Sequence, residues 1–319
     1  MTIEQARMRV VSKPWGSTDL RPWSGLDHDG AAIGEIWFQR ADLDAPAPAL
    51  LLKLLFTKEP LSIQVHPDDT FAKSIGLASG KTEAWYILAA APGAEVAIGL
   101  TRDLEASQLR ASIQDGSISD LVQWHPVLKD EAIFVPAGTI HAIGPGLVIA
   151  EIQQRSDSTF RLFDYGRHRA LDIDNAVAAT HYGPAPWQTD PRALTEARTL
   201  LVVSPYFVLE RFTLAPNSAW ELHANRETWF LILEGDGLVG QMSALVGEAF
   251  FVEEDCADIA VGAGGLKGLL AYASPEPDLG LLRALVERAL SADNREFSQP
   301  SLHRQAAAGA PSRTMEVLL

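Results

Sequence analysis

Short runs of alternating or densely apolar residues, each closed by a proline-, glycine- or aspartate-rich turn, recur along most of this chain. In Leu61–His66 (LSIQVH), Ser62, Gln64 and His66 fall on one side and Leu61, Ile63 and Val65 on the other, the period-two signature of a strand. Leu50–Phe56, Glu83–Ala89, Glu95–Gly99, Ala132–Val135 and Leu147–Gln153 read as further strands. Turn signals separate them at Pro67-Asp68-Asp69, Ser79-Gly80, Pro92-Gly93, Pro136-Ala137-Gly138 and Gly144-Pro145-Gly146. A chain built of many short strands closes into sandwiches or barrels, because each sheet must bury an apolar face. Helical periodicity is confined to Asp103–Gln114 (Thr101 as cap, Gly116 as stop), Ile173–Thr180 after Asp172, and Leu279–Ser291.

A proline-rich stretch, Gly183–Glu196, reads as a linker, and strand patterning resumes beyond it. The later strands are Tyr206–Leu214, Ser218–Leu222, Thr228–Glu234, Leu238–Gly240, Glu248–Glu253 and Leu269–Ala273, with a turn at Gly235-Asp236-Gly237. The expectation is a mainly β chain of two barrel-like domains, residues 1–182 and 183–319, whose shared rhythm points to duplication. Past Ser291 the chain is polar and alanine-rich and ends in the apolar TMEVLL, a candidate tail strand.

With 26 lysines and arginines against 41 aspartates and glutamates, the 319 residues carry a net charge of −15. That excludes the broad basic surface a nucleic acid needs, while leaving room for a small anion in a pocket with a few local cations. A single cysteine, Cys256, permits neither an internal disulfide nor a CxxC metal site and fits a reducing compartment. With no histidine near it in sequence, Cys256 reads as a small core residue rather than a nucleophile. Neither a signal peptide nor a run of about 20 apolar residues is evident, so the expectation is a soluble, cytoplasmic protein without a membrane partner. Trp15, Trp37, Trp85, Trp220 and Trp229 read as core or domain-interface residues.

Gln64 and His66, two apart on one strand, point the same way; Glu83 opens a strand and His141 follows the tight PAGTIH segment. Two imidazoles, a carboxylate and an amide oxygen form a mixed nitrogen and oxygen donor set suited to zinc. Spacing alone leaves each histidine open between ligation and ordinary hydrogen bonding, and Glu83 open between a metal and nearby Lys81. Lys53, flanked by leucines, must either face a polar cavity or lay its stem along apolar surface. Arg161, between Phe160 and Leu162, points opposite to them, toward an anion or toward Asp157 or Asp164. Glu151 lies in an apolar strand, where burial suits a carboxyl to proton transfer or to pairing with an arginine.

Five ordered segments, KPWG (Lys13–Gly16), SIQVHPDD (Ser62–Asp69), GKTEAWYIL (Gly80–Leu88), VPAGTIHAI (Val135–Ile143) and EIQQRSDSTFRLFDYGR (Glu151–Arg167), together resemble the type I mannose-6-phosphate isomerases. These are zinc enzymes of the cupin superfamily, and the resemblance is to their short bacterial form. It covers the chain from about Val10 to Arg169 with strong motifs and rests beyond that on length and strand order. It implies two cupin jelly-roll domains, one zinc per chain held by Gln64, His66, Glu83 and His141, and a sugar-phosphate pocket lined by Ser62, Lys53, Lys81 and Arg161. Glu151 matches an acidic residue near the metal. The implied reaction interconverts mannose 6-phosphate and fructose 6-phosphate through a cis-enediol, with Glu151 or an ordered water moving the proton, Arg161 steadying developing charge and Lys81 alongside. Asp130 stands where the second cupin motif commonly has glycine, and the second half offers only His223, Asn225 and Glu227 near one another, so that half reads as a degenerate cupin. Rival readings are an isomerase of the same architecture for another sugar, a metal-binding cupin that only senses sugar, and an iron-dependent cupin oxygenase.

Overall fold

A computed structural model describes residues 2–26, 29–187 and 190–285. Among these residues the chain is a mainly β, cupin-like assembly of three antiparallel sheets with three short α-helices. A six-stranded sheet runs, from edge to edge, through Arg7–Ser17, Ile33–Gln39, Leu50–Phe56, Leu147–Gln154, Glu83–Ala90 and Ala132–Val135. A five-stranded sheet is ordered Phe160–Phe163, Ile63–Val65, His141–Ile143, Glu95–Leu100 and Val122–Pro126. The third, ten-stranded sheet takes in the strands beyond residue 190 together with the first one, Thr2–Gln5, which pairs with Ala249–Glu253.

Alternation decides how these sheets stack. In Leu50–Phe56 every residue is buried, which only a strand covered on both faces permits. Leu50, Leu52, Leu54 and Phe56 join Phe38, Tyr86 and Ile152 in a core shared with Phe207, Leu209, Trp229 and Phe251 of the ten-stranded sheet. The opposite face of the six-stranded sheet looks into the N-terminal barrel. The outer rim of the two-sheet contact is polar: Lys267 pairs with Asp130 at 3.2 Å and Lys129 with Glu234 at 3.0 Å. Inside the later barrel, an apolar core surrounds one buried polar cluster in which Arg198 clasps Glu210 at 2.7 and 2.8 Å and Tyr272 donates to the same carboxylate.

Several local expectations change. The helix near residue 103 starts at Ala106, not after Thr101, because Gln108 reaches back to accept the Glu105 N–H at 2.8 Å; Gly116, at φ +83°, ends it as expected. Ile173–Ala179 forms with Asp172 at its cap. The turn read at Pro67-Asp68-Asp69 leads into a helix, Asp69–Ser74, whose first turn is closed by Asp68 accepting the Phe71 N–H at 2.7 Å. The turn expected at Gly235-Asp236-Gly237 is absent: Thr228–Val239 runs through it as one strand, and Gly235 (φ +82°) absorbs a register shift there. The glycine-rich segment after Val261 belongs to an 18-residue strand, Asp255–Tyr272. Of the helix expected over Leu279–Ser291, Leu282–Ala284 is instead a strand on the edge offered by Ala219–Ala224, with Leu281 and Leu282 buried beside it. The rest of that segment from Val286, and the TMEVLL terminus, lie outside the described residues.

Candidate active site and metal centre

Two cross-strand rows build the site. On the six-stranded sheet Trp37, Lys53, Glu151 and Trp85 are direct neighbours on successive strands, so their side chains share one face. On the five-stranded sheet Arg161, Gln64 and His141 form the matching row. Glu83 comes from the first sheet, His66 and His141 from the second, and the three meet between the sheets.

His66 Nε2 lies 3.5 Å from one Glu83 oxygen and His141 Nε2 3.4 Å from the other, and all three side chains are buried. His66 Nδ1 bonds the Ser158 carbonyl at 2.8 Å and His141 Nδ1 the Thr139 carbonyl at 2.9 Å. A carbonyl can only accept, so each Nδ1 carries the proton and each Nε2 turns a lone pair toward Glu83. Both imidazoles are held neutral. Burial, then the charge of Lys81, keeps His66 well below its ordinary range, and burial brings His141 down to about 4. Two neutral imidazoles aimed at one carboxylate are a donor set that fits a divalent cation. The Lys81 ammonium already meets that geometry as a cation, 2.6 Å from Glu83 and 2.9 Å from His66 Nε2. Burial opposes its charge, but the Glu83 and Glu151 carboxylates outweigh it and raise its pKa.

Gln64 lies beside this group, its amide nitrogen 3.3 Å from His141 Nε2 and its oxygen accepting from Ser62 at 3.0 Å. Rotating the amide by half a turn exchanges the two, leaving the nitrogen to donate to Ser62 and the oxygen facing the imidazole lone pair, the arrangement a cation would select. The turn that delivers His141 is built by Gly138, at φ +85°, whose N–H donates to the His66 carbonyl at 2.8 Å. A side chain at that glycine would meet the His181 ring at 2.9 Å.

Beside the His66, Glu83 and His141 group opens a cleft of about 110 Å³ lined by Lys13, Lys53, Lys81, Arg161 and Arg169 against Glu35, Glu151 and Asp157. Five cations to three carboxylates invert, locally, the acidic charge of the whole chain, which favours an anionic ligand. Lys53 pairs with Glu151 at 3.4 Å and lies over the Trp37 ring at 4.7 Å, so it faces the cavity rather than lying along apolar surface. Glu151 therefore has a lysine, not an arginine, as partner. Asp164 is occupied by Arg167 and Arg169, and Arg161 keeps a buried Nε without a hydrogen-bond partner. Burial, and then Arg169, lowers the Arg161 pKa. Ser62 also lines the cleft.

Sequence reading assigned no site role to Lys13, Glu35 or Arg169 and took Trp37 for a core or interface residue. Glu35 holds Lys13 at 3.3 Å and accepts the Trp37 indole N–H at 2.6 Å. The alternation in Ile33–Gln39 (IGEIWFQ) was the available signal: it places Glu35 and Trp37 opposite the apolar Ile36 and Phe38. Cys256 is exposed rather than buried, and cross-strand pairing brings His223 Nδ1 to 3.0 Å from its sulfur, a proximity that sequence distance hides. Trp85 and Trp229 are fully buried and Trp15 nearly so, whereas Trp37 and Trp220 are half-buried.

No family model matches the chain. A mannose-6-phosphate isomerase from Streptococcus mutans is 33% identical over 246 residues, covering 65% of this chain and 77% of that one. The mannose-6-phosphate isomerase ManA of Bacillus subtilis is 35% identical over 148 residues, 45% of this chain and 47% of that one. Among solved structures, the mannose 6-phosphate isomerase from Bacillus subtilis superposes with a TM-score of 0.74 at 24% identity, covering 85% of this chain and all of that one. A phosphomannose isomerase variant from Salmonella typhimurium shares the fold at a TM-score of 0.67 and 16% identity, over 86% of this chain and 100% of its own. With the Streptococcus relative matched over three-quarters of its length, this chain belongs to the mannose-6-phosphate isomerase family.

Proposed function

We propose that this chain is a zinc-dependent aldose–ketose isomerase interconverting mannose 6-phosphate and fructose 6-phosphate through a cis-enediol. The observation that carries the reading is the cation-rich cleft opening beside the His66, Glu83 and His141 group. In this reading one zinc ion per chain is held by His66, Glu83, His141 and the amide oxygen of Gln64. When bound it supplies Lewis acidity that polarises the sugar's carbonyl or hydroxyl oxygens.

The protein's own groups do the rest. Lys53, Ser62, Lys81 and Arg161 hold the anionic substrate. Glu151, paired with Lys53, takes the C2 proton of the open-chain aldose and returns it to C1 while a proton passes from O2 to O1, so one C–H and one O–H bond form for those broken and the substrate's composition is unchanged. Arg161, with its unpartnered Nε, steadies the oxygen that gains charge in between. Lys81, paired with Glu83 in this structure, adds positive charge at the cleft floor.

Residues 1–182 form, in this reading, the catalytic cupin domain, and residues 183–319 a degenerate cupin domain and tail, of which the described strands back the central strands of the first. We propose a cytoplasmic enzyme; among the described residues no helix is long and apolar enough to cross a membrane. The test is conversion of fructose 6-phosphate to mannose 6-phosphate by zinc-loaded protein, beside EDTA-treated and H141A samples. Activity in the first and its loss in both others is expected. No turnover with one zinc bound per chain would overturn the assignment, and parallel assays with free mannose test whether the phosphate is required.

A further inference from the structure

One side chain touches both halves of the chemistry. The Trp85 indole N–H is shared between Glu83 Oε1 at 3.1 Å and Glu151 Oε2 at 3.2 Å. Its ring stands edge-on to the His141 imidazole with centroids 5.5 Å apart. Trp85 is fully buried, lies directly across from Glu151 in the sheet, and is two residues from Glu83 on the same face.

We infer that Trp85 is a positioning residue that aims Glu151 and closes its Oε2 side during proton transfer; the inference rests on the reading of Glu151 as the base. An indole N–H can only donate, and a donor shared by two carboxylates leans toward whichever is more negative. While Glu151 is anionic, the N–H fixes Oε2 and leaves Oε1, paired with the cleft-lining Lys53, as the edge turned to the substrate. Once Glu151 has accepted the proton, Glu83 becomes the better acceptor and the hold on Glu151 relaxes. Trp85 is itself fully buried and closes Glu151 on its Oε2 side, so the protonated carboxyl is held in place for delivery to C1 instead of turning away to exchange with solvent.

W85F keeps most of the ring and removes the donor. Mannose 6-phosphate is converted in deuterium oxide by wild type, W85F and E151Q, with kcat expressed per bound zinc and deuterium measured at C1 of the product. For W85F we expect one zinc per chain, a KM within about twofold, kcat lower by about tenfold, and more deuterium in the product than wild type gives. The label fraction is a property of each turnover, so partial misfolding does not move it. If W85F does not fold, W85L, also without a donor, is measured in the same way with the same expectation. Loss of zinc from the variant, or kcat and label both at wild-type values, would overturn the inference. E151Q separates the two readings: an inactive E151Q with an unaltered W85F removes only the role of Trp85, whereas a fully active E151Q removes Glu151 as the base.

Discussion

Acidifying the metal-free protein should cost stability through its buried imidazoles, and His141 sets the size of the effect. Burial holds its pKa at about 4 against an ordinary 6.5. Between those values the unfolded chain binds a proton that the folded protein refuses, so stability rises with pH across the window. The contribution is fully present above about pH 6.5 and is lost as pH falls toward 4. The slope approaches ~1.4 kcal/mol per pH unit, and the whole span is roughly 3 kcal/mol. The assay is urea unfolding of EDTA-treated wild type and H141Q, followed by tryptophan fluorescence from about pH 7 to about pH 4.5. H141Q lacks the titrating ring, so wild type should lose about 2–3 kcal/mol more than the variant across that range. In the proposed site zinc would compete with protons for the same Nε2 lone pairs, so zinc-loaded wild type should hold its stability to lower pH. Parallel curves for the two metal-free proteins would refute the argument, because they would show an imidazole free to charge in the fold.

Three further outcomes follow from the geometry. E83Q strips the shared carboxylate from His66 and His141 and leaves the Lys81 ammonium buried without its anion; zinc content by elemental analysis should fall well below one per chain, with a stability loss of about 3–5 kcal/mol. G138A forces an alanine to φ +85° against the His181 ring, and should lower the thermal midpoint and weaken zinc binding together, since the same turn delivers His141. Cys256 should react with a thiol reagent in the folded protein at a stoichiometry of one, and slowly at neutral pH, because local desolvation and the carboxylates of Glu221 and Asp255 push its thiol up; C256S should retain full turnover.

What the sequence made legible divides along physical lines. Gln64 and His66 lie on or just past a strand whose residues alternate cleanly, and Glu83 and Glu151 are lone carboxylates in dense apolar strands, so these four could be read directly. Strands with mixed patterns escaped. Arg198–Val203 and Ile33–Gln39 carried no decisive turn signals, and the glycines of Asp255–Tyr272 hid a strand whose pairing with its long neighbour, not its composition, keeps it extended. Glu35 and Arg169 could not be joined to the cleft from sequence, because the strands and loop that carry them meet it only through sheet order. The Cys256–His223 contact is likewise a product of cross-strand register, which no local pattern encodes.

The double covering of the 50–56 strand bears on how a protein like this can be altered. A position facing the cleft has neighbours that face the ten-stranded sheet, so a change in backbone there is felt on both sides at once. Laboratory libraries aimed at a new sugar should therefore leave Leu50–Phe56, Glu83–Ala90 and Leu147–Gln154 untouched. The room for variation lies at the cleft's margins, where Lys13, Asp157, Thr159 and Arg169 reach it from an edge strand and from loops. Substrate range can drift at those margins while the interior of the sheet stays as it is.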